Sequence, residues 1–283
     1  SVLKKLYLSQ MQVWMYMNTD FSDLSVMQMS DSFFPTGLYT MSNGLETLFD
    51  EKQIQTVDQI EEFIKTVISQ QIGPSDCIAL SNSYDFATSK NIDKIIECDK
   101  TLYSMKLVKE SRDALCRSGS QMIKCVKSFV NNNLIDTFYK KIIESETPST
   151  HPVVIAICSN VLGIKKENAM MMLLYGFTVS TIGAALRLGL IDHIQSQKIL
   201  HNLKPHIIQT IERYISTSFE NMWQFTPEYD LVQMSHEQKF SKMFITWKRP
   251  DIIMSSRIPR IGIGGPVGCG KSMLIEKVVP LLA

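Results

Sequence analysis

In TVDQIEEFIKTVISQQIGP, residues 56–74, the apolar side chains Val57, Ile60, Phe63, Ile64, Val67 and Ile68 recur at intervals of three and four. That period draws one stripe along a helix. Thr56 and Gln59 have the spacing of a capping box at its start, and Gly73 and Pro74 read as its stop.

The same period reappears downstream. It returns over residues 92–103 and 107–129, and SHEQKFSKMF, residues 235–244, opens on another cap-like serine. Pro152 stands where a first-turn proline is tolerated, because its missing N–H would have no partner in any case. Helices are expected from there over about 152–162, 167–191, 196–203 and 205–223. Short connections between them predict antiparallel neighbours. No convincing alternating run precedes residue 258, so the body reads as all-α, a bundle of about ten helices.

One segment, AMMMLLYGFTVSTIGAAL at residues 169–186, carries no charge and is of borderline length for a bilayer. Gly176, Thr178, Ser180, Thr181 and Gly183 dilute it, and it has no flanking Trp. It reads as a buried central helix whose small residues let neighbours approach closely, with a membrane segment as the alternative.

The 283 residues hold 29 Lys and Arg against 28 Asp and Glu, a net charge of +1. That balance gives no electrostatic footprint for nucleic acid or an anionic membrane. Cys77, Cys98, Cys116, Cys125, Cys158 and Cys269 form no C-x-x-C pair and no metal knuckle. They read as reduced thiols of a cytoplasmic protein. The first residue is Ser1 and the last Ala283, which suggests a chain cut at both ends.

The composition changes at WKRPDIIMSSRIP, residues 247–259. Then RIGIGGPVGCGKSM, residues 260–273, fits the phosphate-binding pattern G-x-x-x-x-G-K-[S/T], with a β-branched run before it and a helical stripe after it. Its glycines would let backbone N–H groups converge on a phosphate. Lys271 would reach the terminal phosphates and Ser272 would ligate magnesium. Gly265, Gly268, Gly270, Lys271 and Ser272 are therefore the nucleotide-binding candidates. A working nucleotide-binding sheet needs on the order of 150 residues, and the chain ends soon after Ser272. The expectation is a P-loop fragment that does not hydrolyse nucleotide here. The organisation expected is an extension over 1–22, a helical domain over 23–247, a linker over 248–259, and the strand, P-loop and helix start of an NTPase over 260–283.

The helical body carries its own signature. MSDSFFPTGLYTMSNGLETLF, residues 29–49, resembles the N-terminal motif D-S-x-F-P-x-G-x-x-x-x-S-x-G-L-E of the urease accessory family UreF. KESRDALCRSGSQMIK (109–124), HPVVIAICSNVLGI (151–164), RLGLIDHIQSQKIL (187–200) and DLVQMSHEQKFSKMF (230–244) resemble four further stretches of that family in the same order. Two departures are Met122, where leucine is usual, and Asp192-His193, where the family has Gly-Gln. The resemblance spans about residues 23–247. The tail independently resembles the start of UreG, the GTPase of the same pathway, with Cys269 and Ser272 as mild departures.

The resemblance implies a non-enzymatic, all-helical maturation factor. Its partners would be UreG, UreH (also called UreD) and apo-urease, and it would be a homodimer with no nucleic-acid or membrane role. Nickel and GTP/Mg would act in the complex through UreG, with no cofactor in this chain. The alternative is the front part of a UreF–UreG fusion whose intact form is a nickel-delivering GTPase. Partner-binding roles are implied for Asp31, Pro35, Gly37, Ser42, Gly44, Glu46, Arg187, His236 and Glu237, with no catalytic residue and no metal ligand.

The residues also have plainer readings. Pro35 and Gly37 can simply shape a turn. Glu46 can satisfy N–H groups at a helix start, and Arg187 can cap the carbonyls of the uncharged helix before it. His151 reads as a local cap rather than a nickel ligand. Met170, Met171 and Met172 read as adaptable core filler rather than soft-metal ligands.

Overall fold

A helix that begins at a satisfied cap needs no further signal to start, and the Thr56 box forms as spaced. The Gln59 N–H donates to Thr56 Oγ1 at 3.3 Å, and the Thr56 N–H donates to Gln59 Oε1 at 3.0 Å. The structure, a computed structural model, describes residues 21–37 and 41–238, with the side chains of 236–238 outside that description. Among the described residues there are eleven α-helices and no strand. They are α1 (Phe21–Ser30), α2 (Leu45–Asp50), α3 (Val57–Val67), α4 (Ile78–Thr88), α5 (Ile92–Met105), α6 (Lys109–Lys127), α7 (Asn133–Ile143), α8 (His151–Val161), α9 (Lys166–Arg187), α10 (His193–Tyr214) and α11 (Pro227–Gln238). The linker 248–259, the strand, loop and helix expected over 260–283, and most of the 1–22 extension lie outside the described residues.

The centre of the bundle is α8. Every residue of α8 from His151 to Ser159 is buried, and it packs on α4, α5, α6, α7 and α9. Its run of Val, Ile and Ala has no polar side to present to water, which is the composition of a helix enclosed on all faces. The uncharged α9 flanks this centre. By length and composition it could cross a membrane, yet 67% of its apolar window is buried inside the bundle. Met170 and Met172 are core residues while Met171 faces out, the one-sided pattern of a flanking helix.

Several expected helix boundaries are corrected. Gly73 and Pro74 do not stop the helix that begins at Val57. They lie within a π-helical segment, Ile68–Cys77, that runs on into α4. The wider turn accommodates a proline that an α-helix would reject. A Cβ at position 73 would meet Thr210 Cγ2 and the Tyr214 ring at 2.8 Å, so glycine is required there by the close approach of α10. Likewise Pro205 does not separate two helices. It sits inside α10, which is continuous from His193 to Tyr214 and then gives way to a single 3-10 turn, Phe219–Asn221. The helix expected to reach residue 191 ends at Arg187, and Ser235, expected to open a helix, lies inside α11, which starts at Pro227.

Asp192, one of the two departures from the family pattern, has a structural task. It caps α10, accepting from the Gln195 N–H at 2.7 Å while Gln195 Oε1 accepts from the Asp192 N–H at 2.9 Å. That reciprocal pair accounts for the carboxylate without any metal.

Candidate functional site

The N-terminal motif, Asp31 to Glu46, packs along α9. The turn from Asp31 to Gly37 is closed by its own backbone and side chain. The Phe33 N–H donates to Asp31 Oδ1 at 2.7 Å and the Phe34 N–H to the Asp31 carbonyl at 2.9 Å. Gly37 has φ +75°, a left-handed conformation that glycine adopts without penalty, with open space around it. Asp31, Pro35 and Gly37 are exposed, whereas Phe34 is buried and anchors the turn. The turn roofs a cavity of about 270 Å³ that also touches Met122, His151, Tyr175 and Ser180.

The second half of the motif is stitched to the same helix. Asn43 Nδ2 donates to Thr181 Oγ1 at 2.9 Å, and Ser180 Oγ donates to the Met41 carbonyl at 3.2 Å. Asn43 and Gly44 both take positive φ, 49° and 79°, so the N-G pair reverses the chain into α2. Ser42 is buried and its carbonyl accepts from the Leu45 N–H at 3.0 Å. Glu46 lies in the first turn of α2 and is only 5% exposed. Arg187 is an exposed residue in the last turn of α9.

The closing segment meets this motif although it is remote in sequence. A Cβ on Gly44 would lie 3.1 Å from the Tyr229 ring and 3.5 Å from Val232 of α11. Tyr229 in turn packs edge-on against Phe63 of α3, with ring centroids 5.7 Å apart. His236 and Glu237 fall in the backbone of α11, with their side chains outside the description. Gly265, Gly268, Gly270, Lys271 and Ser272 lie outside the described residues altogether.

His151 corrects another expectation. It does not cap its own helix. It is buried, and its Nδ1 pairs with Ser118 Oγ of α6 at 3.0 Å. Burial holds the imidazole down to about 4, so it is neutral at ordinary pH. With Gly176 and Ser180 it separates the cavity under the turn from a second one, of about 130 Å³, that reaches Asp76 and Lys106.

Several positioning residues are not legible from motif or period. Asp99, fully buried on α5, accepts from Thr147 Oγ1 (2.5 Å), the Ser149 N–H (2.7 Å), the Thr150 N–H (2.8 Å) and Thr150 Oγ1 (2.5 Å). It thereby holds the entry to α8, whose N-cap is Thr150. Burial pushes its carboxyl above the usual range, against the pull of those four donors. Lys106 and Asp76 form a buried ion pair. Among the described residues no group of three or more His, Cys, Asp or Glu is placed to hold a metal ion. The buried thiols are pushed up by desolvation, Cys98 to about 12, which makes them poor nucleophiles and ligands.

Comparison of the sequence with known proteins points to one family. The UreF family model matches residues 54–204. The chain is 33% identical over 228 residues to a urease accessory protein UreF of Trichodesmium erythraeum, covering 80% of this chain and 98% of that protein. A UreF of Photorhabdus laumondii is 27% identical over 221 residues, covering 78% and 96% respectively, and UreF 1 of Brucella melitensis is 28% identical over 222 residues, covering 78% and 92%. The chain belongs to the UreF family, a family of accessory proteins rather than enzymes.

Proposed function

We propose that the chain is a urease maturation factor: a helical scaffold that bridges the GTPase UreG and the urease-binding protein UreH/UreD and so supports GTP-dependent nickel insertion into apo-urease. Nickel and GTP/Mg act through UreG, and this chain contributes surfaces. The observation that carries the reading is the contact of Gly44 with Tyr229 and Val232. It brings the N-terminal signature and the closing helix, the two segments with implied partner roles, into contact. The cytoplasm is the compartment that such a role requires.

A homodimer is part of the same reading. Helix α1 turns Ser22, Ser25 and Met29 inward and leaves Phe21, Leu24 and Met27 exposed. Phe33, at 94% exposure, and Tyr175 of α9 extend the apolar surface. An apolar face with serines beneath it is the reverse of a solvent-facing helix and suits an interface. A second copy fits it by symmetry.

Co-expression of the chain with UreH/UreD and UreG tests the scaffold reading. Capture of both is expected, and removal of residues 235–247 should weaken UreH/UreD capture. Undiminished capture overturns the docking role of that segment. Leu24→Asp with Met27→Asp should halve the mass in solution, and an unchanged mass removes α1 from the dimer.

The P-loop tail supports a second reading, the front part of a UreF–UreG fusion whose intact form is a nickel-delivering GTPase. Reading the coding sequence beyond Ala283 decides it. Continuation in frame into a Cys-Pro-His segment and an N-K-x-D motif supports the fusion, and a stop codon rejects it.

A further inference from the structure

The connection from the 3-10 turn to α11, residues 222–226, has no regular structure of its own, yet its polar groups are bound one after another to the π-helical segment and the end of α5. Pro74 lacks an N–H, so the π segment holds one carbonyl more than it has donors. The connector supplies donors from outside. The Phe225 N–H donates to the Gln70 carbonyl at 2.9 Å and the Trp223 N–H to the Pro74 carbonyl at 3.1 Å. Between these two, Gln224 turns inward. Its Nε2 donates to the Met105 carbonyl at 2.7 Å, and its Oε1 accepts from Lys106 Nζ at 3.3 Å. Thr226 Oγ1 then donates to Gln71 Oε1 at 3.3 Å.

Lys106 is the hub of this lacing. Its ammonium is buried, is paired with Asp76 of the π segment, and also donates to Ser75 Oγ at 3.1 Å. A buried ammonium requires partners for its three N–H bonds. Asp76, Ser75 and Gln224 are those partners, and the third belongs to the connector. Two of the three sit in the π segment, so the wide turn that admits Pro74 also presents the carboxylate that fixes Lys106.

We infer that Lys106 is the positioning residue of α11: clamped by Asp76, it grips Gln224 and through it fixes the connector that sets where the closing helix lies. The inference rests on the reading above only in giving α11 a partner to meet. The placement of the helix is a property of the chain alone. The rival arrangement is that α11 is held by its own direct contacts, the apolar packing of Tyr229 and Val232 and the hydrogen bond of Ser111 Oγ to Gln233 Oε1 at 2.8 Å, with the lacing of the connector incidental.

Hydrogen exchange on the full chain separates the two. Gln224→Met removes the grip without touching the ion pair. Lys106→Met alone strands a buried carboxylate and risks misfolding, so it is paired with Asp76→Leu, which replaces both charges with apolar groups of similar bulk. In both variants peptides covering residues 222–235 should exchange about tenfold faster, while peptides from α4 and α8 keep their protection. Unchanged exchange over 222–235 overturns the inference in favour of those direct contacts. Equal acceleration throughout the bundle overturns it in favour of a general stabilising role. Capture of UreH/UreD by the same variants is read separately. Faster exchange with weaker capture supports both readings, and faster exchange with full capture leaves Lys106 positioning α11 and removes α11 from the docking surface.

Discussion

Gly119 of α6 lies so close to Ser149 that a Cβ on it would stand 2.0 Å from the Ser149 carbonyl oxygen and 3.1 Å from the His151 backbone nitrogen. This contact brings α6 against the entry to α8 and places Ser118 on His151 and Ser120 on Ser149. Backbone cannot retreat as a flexible side chain can. Gly119→Ala should destabilise the chain by about 3 kcal/mol, read from a urea midpoint at unchanged slope.

Asp99 holds the same entry from the other side. Each of its oxygens accepts one backbone N–H, from Ser149 or Thr150. In Asp99→Asn one of those N–H groups must face an amide NH2, whichever way the side chain is turned. The expected cost is about 2 kcal/mol, with faster amide exchange confined at first to residues 147–153.

His151 gives the fold a pH dependence of defined sign. Its folded-state value is held down at about 4 by burial, against 6.5 for the free side chain. The stability from keeping it neutral is complete above about pH 6.5 and is lost as pH falls towards 4. The full loss is on the order of 3 kcal/mol. His151→Asn keeps a polar atom near Ser118 but cannot titrate. The difference in unfolding free energy between wild type and this variant should shift across that window, and a pH-independent difference would remove His151 as the cause.

Gly37 and Gly44 share a left-handed backbone but not a surrounding. Gly37→Ala meets open space and should cost about 1 kcal/mol of backbone strain alone. Gly44→Ala adds a contact at 3.1 Å with the Tyr229 ring and should cost about 2 kcal/mol. Only the second should alter near-ultraviolet dichroism, through the Tyr229–Phe63 ring pair.

Much of the fold is written in local pattern. The Thr56 capping box, the apolar stripe of α3 and the all-helical class follow from spacing within a few residues. The turn at Pro35 and Gly37 is equally local, because Pro restricts and Gly frees φ at its own position. Two of the boundaries that sequence misplaces involve a proline, Pro74 and Pro205. A proline's local preference is to end a helix, and only the tertiary structure shows that each helix continues through it; at Pro74 the close approach of α10 and the connector 222–226 accompanies the continuation.

The sequence by itself determined the helical class, the family and the capping box at Thr56, since each depends on short-range period, spacing or motif. The tertiary structure alone decided that Gly44 meets Tyr229, that Asp99 holds the start of α8, and that Lys106 grips Gln224. These partners are far apart along the chain. No local rule links a buried charge to its partner until burial removes water and leaves each polar group to find a donor or acceptor within the protein.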